Sequence, residues 1–101
     1  MKHYVLVGEH LVPFEDRDPA LIAAHRAFLQ AGYDKGVFLF SGPTIPPQGG
    51  FLVARTESLT QLQEMLAEEP YTKAKVMRFK TITEFNPVQH QPFLKDWFKQ
   101  A

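Results

Sequence analysis

The chain has no cysteine, which excludes disulfides, thiolate metal sites and a cysteine nucleophile. It also lacks an excess of charge of either sign. Eleven Lys and Arg stand against eleven Asp and Glu, for a formal net charge of zero, so there is no electrostatic footprint for nucleic acid or an anionic membrane. Long apolar runs are missing too. The N-terminal stretch meets Gly8-Glu9 too early for the apolar region of a signal peptide, and no segment has the length to span a bilayer. Together these absences make a cytoplasmic location the expectation. The six glycines form neither a GxGxxG fingerprint nor a phosphate loop. His3, His10 and His90 do not have the paired spacing of a zinc site, so neither a metal nor a nucleotide cofactor is expected.

What is present suits one small domain over residues 1–101. The hydrophobic share, 45%, is ordinary, but nine Phe make the interior or an interface rich in aromatic surface. Residues 3–7 (HYVLV) read as a strand that Gly8 ends. Residues 9–17 read as a loop. Asp18-Pro19 is a helix start, because Asp accepts from free N–H groups and Pro suits the first helical position. The helix runs to about residue 31, with Leu21, His25, Phe28 and Gly32 on one stripe, and Gly32 or Gly36 supplies its stop. Residues 37–40 (VFLF) and 51–54 (FLVA) are wholly apolar strands, and the Pro- and Gly-rich 41–48 between them is a loop. Ser58 and Gln61 make a capping box for a second helix, which Pro70 stops. Residues 71–75 then read as a turn, and 76–85 as a longer strand on a sheet edge. The extension 87–101 holds a short amphipathic helix from Pro92, with Trp97 and Phe98 on its apolar side.

The order β-α-β-β-α-β predicts an α+β, ferredoxin-like domain, a four-stranded antiparallel sheet with both helices on one face. Two wholly apolar strands make both faces of that sheet greasy, and two helices cover only one. A second copy stacked on the open face is the expected cover, giving a homodimer. The alternative is a monomer whose own tail folds back over the sheet.

Chemistry is expected along residues 25–43. His25 shares its stripe with Leu21 and Phe28 and so points inward. There it is either a structural histidine bonded to a backbone carbonyl or a general acid–base group. Asp34 is the candidate carboxylate to orient it, although nine helical residues put the two about half a turn out of phase. The helix must end near Gly32 for Asp34 to swing back, or the two must meet by another route; the plain alternative is that Asp34 is a solvated residue beside Lys35. Ser41-Gly42-Pro43 is either a plain turn or a subsite, with Gly42 admitting close backbone approach and Ser41 or an N–H binding a substrate oxygen. Glu69-Pro70-Tyr71 is either a helix stop with a packed Tyr or a pocket wall.

Four places in this chain resemble the YciI-like proteins, the YCII-related domain, of the dimeric α/β-barrel superfamily. They are Ala24-His25, then Asp34 with Gly36, then Ser41-Gly42-Pro43, and Glu69-Pro70-Tyr71 where the family has Asp-Pro-Tyr. The resemblance covers about residues 2–85. It implies a ferredoxin-like subunit that dimerises through its sheet, with a cleft holding His25 and Asp34 as a catalytic pair. Ser41, Gly42, Pro43 and Tyr71 are the residues expected to bind a small-molecule substrate beside that pair. Some relatives are cofactor-free dehydrochlorinases of chlorinated aromatics; other superfamily members isomerise lactones or oxygenate quinols. The expectation is a cofactor-independent enzyme of lyase or isomerase type acting on an aromatic or cyclic compound. The alternative is a non-catalytic ligand-binding or interaction module. Two features depart from the pattern: the proline near the histidine stands at Pro19, and the Trp97 extension is additional.

Overall fold

Two periodicities organise the chain: alternation along the strands and a three-to-four spacing along the helices. The computed structural model describes residues 1–99 of the 101. In order they form β1 (Lys2–His10), α1 (Pro19–Asp34), β2 (Phe38–Pro43), β3 (Gly49–Thr56), α2 (Leu59–Ala67), α3 (Pro70–Lys73), β4 (Met77–Phe85) and α4 (Lys95–Phe98). Single 3-10 turns lie at Phe14–Asp16 and Pro92–Leu94. The strands make one antiparallel sheet in the order β2-β3-β1-β4, which is the expected ferredoxin-like arrangement with β4 on an edge. No helix among the described residues is long and apolar enough to cross a membrane.

Register assigns each side chain to a face. Tyr4 pairs with Ala54 and Leu6 with Leu52. All four are buried in one cluster with Phe38, Leu62 and Leu66, against which Phe28, Leu29 and Tyr33 pack. That face is covered by α1 and α2. Truncation at its centre, Leu62→Ala, would cost about 2–5 kcal/mol on the general scale for buried leucines. Val5, Val7, Val53 and Phe51 alternate with the core set and belong to the other face.

Several boundaries differ from the sequence expectation, each for a local reason. Gly8 does not end β1. A register shift between Val7 and Gly8 carries the strand on to His10. Ser41, Gly42 and Pro43 belong to β2, paired with Leu52, Phe51 and Gly50, and are not loop residues. Pro43 is tolerated because β2 is an edge strand. Pro70 stops α2 but starts α3, at its first helical position. Helix α1 does not end near Gly32; it runs through Asp34, and Gly36, at φ 72°, provides the left-handed turn.

Both N-caps form at the expected residues, but the Gln61 side chain reaches back to the Glu57 N–H at 2.8 Å and not to that of Ser58. Asp18 accepts from the Ala20 N–H at 2.8 Å, and Ser58 accepts from Gln61 N–H at 3.1 Å. The tail does fold back over its own sheet, but only at one end. Trp97 and Phe98 pack on His3, and the Arg55 guanidinium lies 4.6 Å from the Trp97 ring centre while donating to the Trp97 carbonyl. Farther along the same face Phe40 and Phe51 stack on each other and stay 51% and 40% exposed.

Candidate functional site

A cleft of about 610 Å³ opens between α1, the ends of β1 and β2, and α3. Its floor is apolar, with Leu6, Leu29, Leu52, Leu66, Met77 and Phe79. A few polar groups converge on it, which is the usual composition of a small-molecule site.

His25 enters the cleft because α1 is pressed close to the sheet. Gly32, on the same stripe, lets this happen. A Cβ there would lie 2.1 Å from the Phe38 ring, so only glycine admits that ring beneath the helix. Two turns back along the stripe, His25 is thereby aimed inward and half-buried.

Its partner comes from the start of α3. Glu69 is the N-cap of that helix and is 1% exposed. One carboxylate oxygen, Oε1, accepts from the Tyr71 N–H at 3.1 Å; the other, Oε2, accepts from the Thr72 N–H at 2.9 Å and the Thr72 hydroxyl at 3.1 Å. Oε1 also meets His25 Nδ1 at 2.5 Å. Burial on its own would push the Glu69 carboxyl up. The hydrogen bonds from His25 and from the two N–H groups, with the His25 charge, outweigh it and hold the carboxyl below its ordinary value. Glu69 is thus an anion at neutral pH and can only accept. Nδ1 of His25 must therefore carry the proton, which leaves Nε2 as the lone-pair nitrogen of the neutral ring.

Tyr71 holds the imidazole from the side. The two rings lie 3.7 Å apart and 7° from parallel. The Arg17 guanidinium carbon is 4.4 Å from the same Tyr71 centre. A parallel ring at 3.7 Å fills one face, so Arg17 and His25 occupy opposite faces of Tyr71.

The expected site residues divide accordingly. Ser41, Gly42, Pro43 and Tyr71 line the cleft with His25. The Ser41 hydroxyl is engaged by the Tyr33 hydroxyl. Around Gly42 the cleft is open: a Cβ there would meet nothing within 4 Å. Asp34 is not the carboxylate at His25. Because α1 stays helical through it, the half-turn phase difference holds, and its side chain accepts from Gln30 Nε2 at 2.9 Å on the exposed side. Glu69 stands in that place, 44 positions from His25. Its signal was an acid before proline, the same cap that marked Asp18-Pro19. Arg17, His10 and Arg26 also line the cleft; nothing in the sequence pattern around them singles them out. Among the described residues no group of three or more His, Asp or Glu side chains is placed to hold a metal ion.

A solved structure of similar fold is the 5-chloro-2-hydroxyhydroquinone dehydrochlorinase from Burkholderia phenoliruptrix AC1100, in complex with 2,5-dihydroxybenzoquinone. It has a TM-score of 0.58 and 21% identity, over 90% of this chain and 97% of that one. No curated protein matches the chain. The family model for the YCII-related domain matches residues 2–86, the whole of the sheet and both main helices, and the chain therefore belongs to the YCII-related domain family.

Proposed function

We propose that the protein is a cofactor-independent cytoplasmic enzyme that moves protons on an aromatic or cyclic small molecule, with His25 as the acid–base group and Glu69 as its positioning residue. The observation that carries this reading is the 2.5 Å contact between His25 Nδ1 and Glu69 Oε1 at the edge of an apolar cleft. Nε2 takes a proton from a carbon beside a carbonyl, and the C–H electron pair moves onto the oxygen as an enolate. Glu69 stabilises the imidazolium that forms. Return of the proton to another carbon is an isomerisation; loss of a leaving group from the enolate, with its electron pair, is an elimination. Support for a ring-shaped substrate comes from the apolar floor and from the dehydrochlorinase of similar fold, whose structure holds a flat six-membered quinone.

The test is proton–deuterium exchange. In D2O the protein should accelerate exchange at the activated carbon of a set of cyclic diketones and hydroxyquinones, followed by NMR. His25→Asn should lower that rate about 10²–10⁴-fold with the fold intact. If His25→Asn changes only stability, or if the protein accelerates no exchange, the histidine is structural and the chain is a binding module.

We further propose a homodimer through the open sheet face. Phe40 and Phe51 are stacked and half-exposed there beside Val5 and Val7, and the tail covers only the His3 end. Apolar side chains left in water along a sheet favour a second copy at about 25 cal/mol per Å² removed. Light scattering should give twice the chain mass, and Phe51→Glu should give one.

A further inference from the structure

Arg17 is charged, 6% exposed, and lies on the loop just before α1 with its guanidinium against the cleft. Buried cations are ordinarily matched by a carboxylate, because an unmatched one loses several kcal/mol of hydration. Here the matching anion is missing among the described residues. One terminal nitrogen donates to the Val12 and Val76 carbonyls at 2.9 and 3.2 Å. Nε is buried with no acceptor. The ion pairs of the described residues involve His25 with Glu69, Lys73 with Glu68 and Arg78 with Glu9, and none includes Arg17. Glu69, the buried acid of the cleft, is already committed to His25, Tyr71 and Thr72. Glu15 stands exposed at the rim without pairing to Arg17.

The neighbourhood records the unmatched charge. Arg26 adds a second cation to the wall. His10, also in the wall, is pushed below its ordinary value by burial first and by the Arg17 charge second, with Glu15 acting the other way.

We propose that the cleft's ligand carries an anionic oxygen group, a carboxylate or an enolate, and that Arg17 binds it across the Tyr71 ring from His25. The guanidinium supplies a planar fork of donors suited to two oxygens. With Arg17 and His25 on the two faces of one tyrosine, a single ring-sized ligand reaches both, its oxyanion at the guanidinium and its reacting carbon at Nε2. This rests on the reading of the cleft as a site for a cyclic small molecule. It does not require that the molecule be turned over.

The test compares matched pairs by NMR titration of the full chain: benzoate against benzamide, and the enolate of 1,3-cyclohexanedione against cyclohexanone. The expected result is at least tenfold tighter binding of one or both anions than of the neutral analogue, with shifts at Tyr71 and His25. Arg17→Gln should remove that preference. A preference for benzoate alone identifies the carboxylate, and for the enolate alone the developing oxyanion. Equal binding within each pair, no binding of either anion, or an undiminished preference in Arg17→Gln overturns the proposal. Because the wild-type pairs decide it, a poorly folding variant does not, and loss of exchange activity without loss of anion preference overturns only the catalytic reading.

Discussion

His3 and His25 lie on opposite sides of the sheet with similar ingredients around them: aromatic rings and an arginine resting on one of those rings. His25 stacks on Tyr71, with Arg17 on the far face. His3 is packed by Phe85, Trp97 and Phe98, with Arg55 over Trp97. The difference is one carboxylate. His25 has Glu69 on Nδ1. His3 is 5% exposed, and its Nε2 is buried with no hydrogen-bond partner. Burial, then the N-terminal amine, then Arg55 push it below its ordinary value. An imidazole among hydrocarbon becomes an acid–base device when a fixed anion sets its tautomer and steadies its charged form. Without that anion it is a neutral wedge, and at His3 it anchors the tail.

Removing the carboxylate should therefore have the largest effect. Glu69→Ala frees His25 and uncaps Tyr71 and Thr72. Exchange should fall about 10²-fold or more, and stability by about 1–3 kcal/mol in urea unfolding, the scale of a lost cap and an unsatisfied buried group. His3→Gln should leave the exchange rate within twofold. If the two variants lose rate equally, the contrast between the two histidines is wrong.

Packing should separate two glycines next. Gly32→Ala places a Cβ 2.1 Å from Phe38 and should cost about 1–3 kcal/mol. Gly42→Ala, with open space within 4 Å, should leave stability unchanged and alter only what fits the cleft. Chemical denaturation of both variants checks this.

Acid should loosen the two sides in different windows. Both groups have folded values below their unfolded ones, so the unfolded state binds more protons and stability rises with pH across each window. The His3 contribution is complete above the ordinary histidine value of 6.5 and is lost as pH falls from there. The Glu69 contribution is complete above the ordinary 4.5 and is lost only as pH falls below it. Thermal unfolding of His3→Phe should lose the first component and Glu69→Gln the second. The smallest effect belongs to the tail: Trp97→Ala should cost about 1 kcal/mol, the scale of a half-buried cation–π contact, and should raise hydrogen exchange in residues 87–99.

The architecture was readable because its signals are local and repeated. Short apolar strand segments, the Asp18-Pro19 and Ser58 caps and the order of elements carry the ferredoxin-like topology. Boundaries failed where one residue's propensity met a tertiary constraint. Gly8 looked like an end because a bulge cannot be seen from one strand, and Ser41 to Pro43 looked like a turn because pairing with β3 is non-local. His25 was legible from its stripe. Nearness in sequence points to Asp34 as its carboxylate, but helix geometry forbids that pairing, and the acid that reaches the ring caps a different helix. The two acid–proline caps, at Asp18 and Glu69, are alike in sequence; only the fold places the second against a histidine. Arg17 carried no signal, since a loop arginine is ordinarily solvated.

The most direct measurement is the tautomer of His25, read from long-range 1H–15N correlations at a pH where the ring is neutral. The expected ring has a proton on Nδ1 and a bare Nε2, reverting toward the common Nε2–H form in Glu69→Gln. A wild-type ring protonated at Nε2 would contradict this, because the nitrogen not bonded to Glu69 would then have no lone pair with which to take a proton.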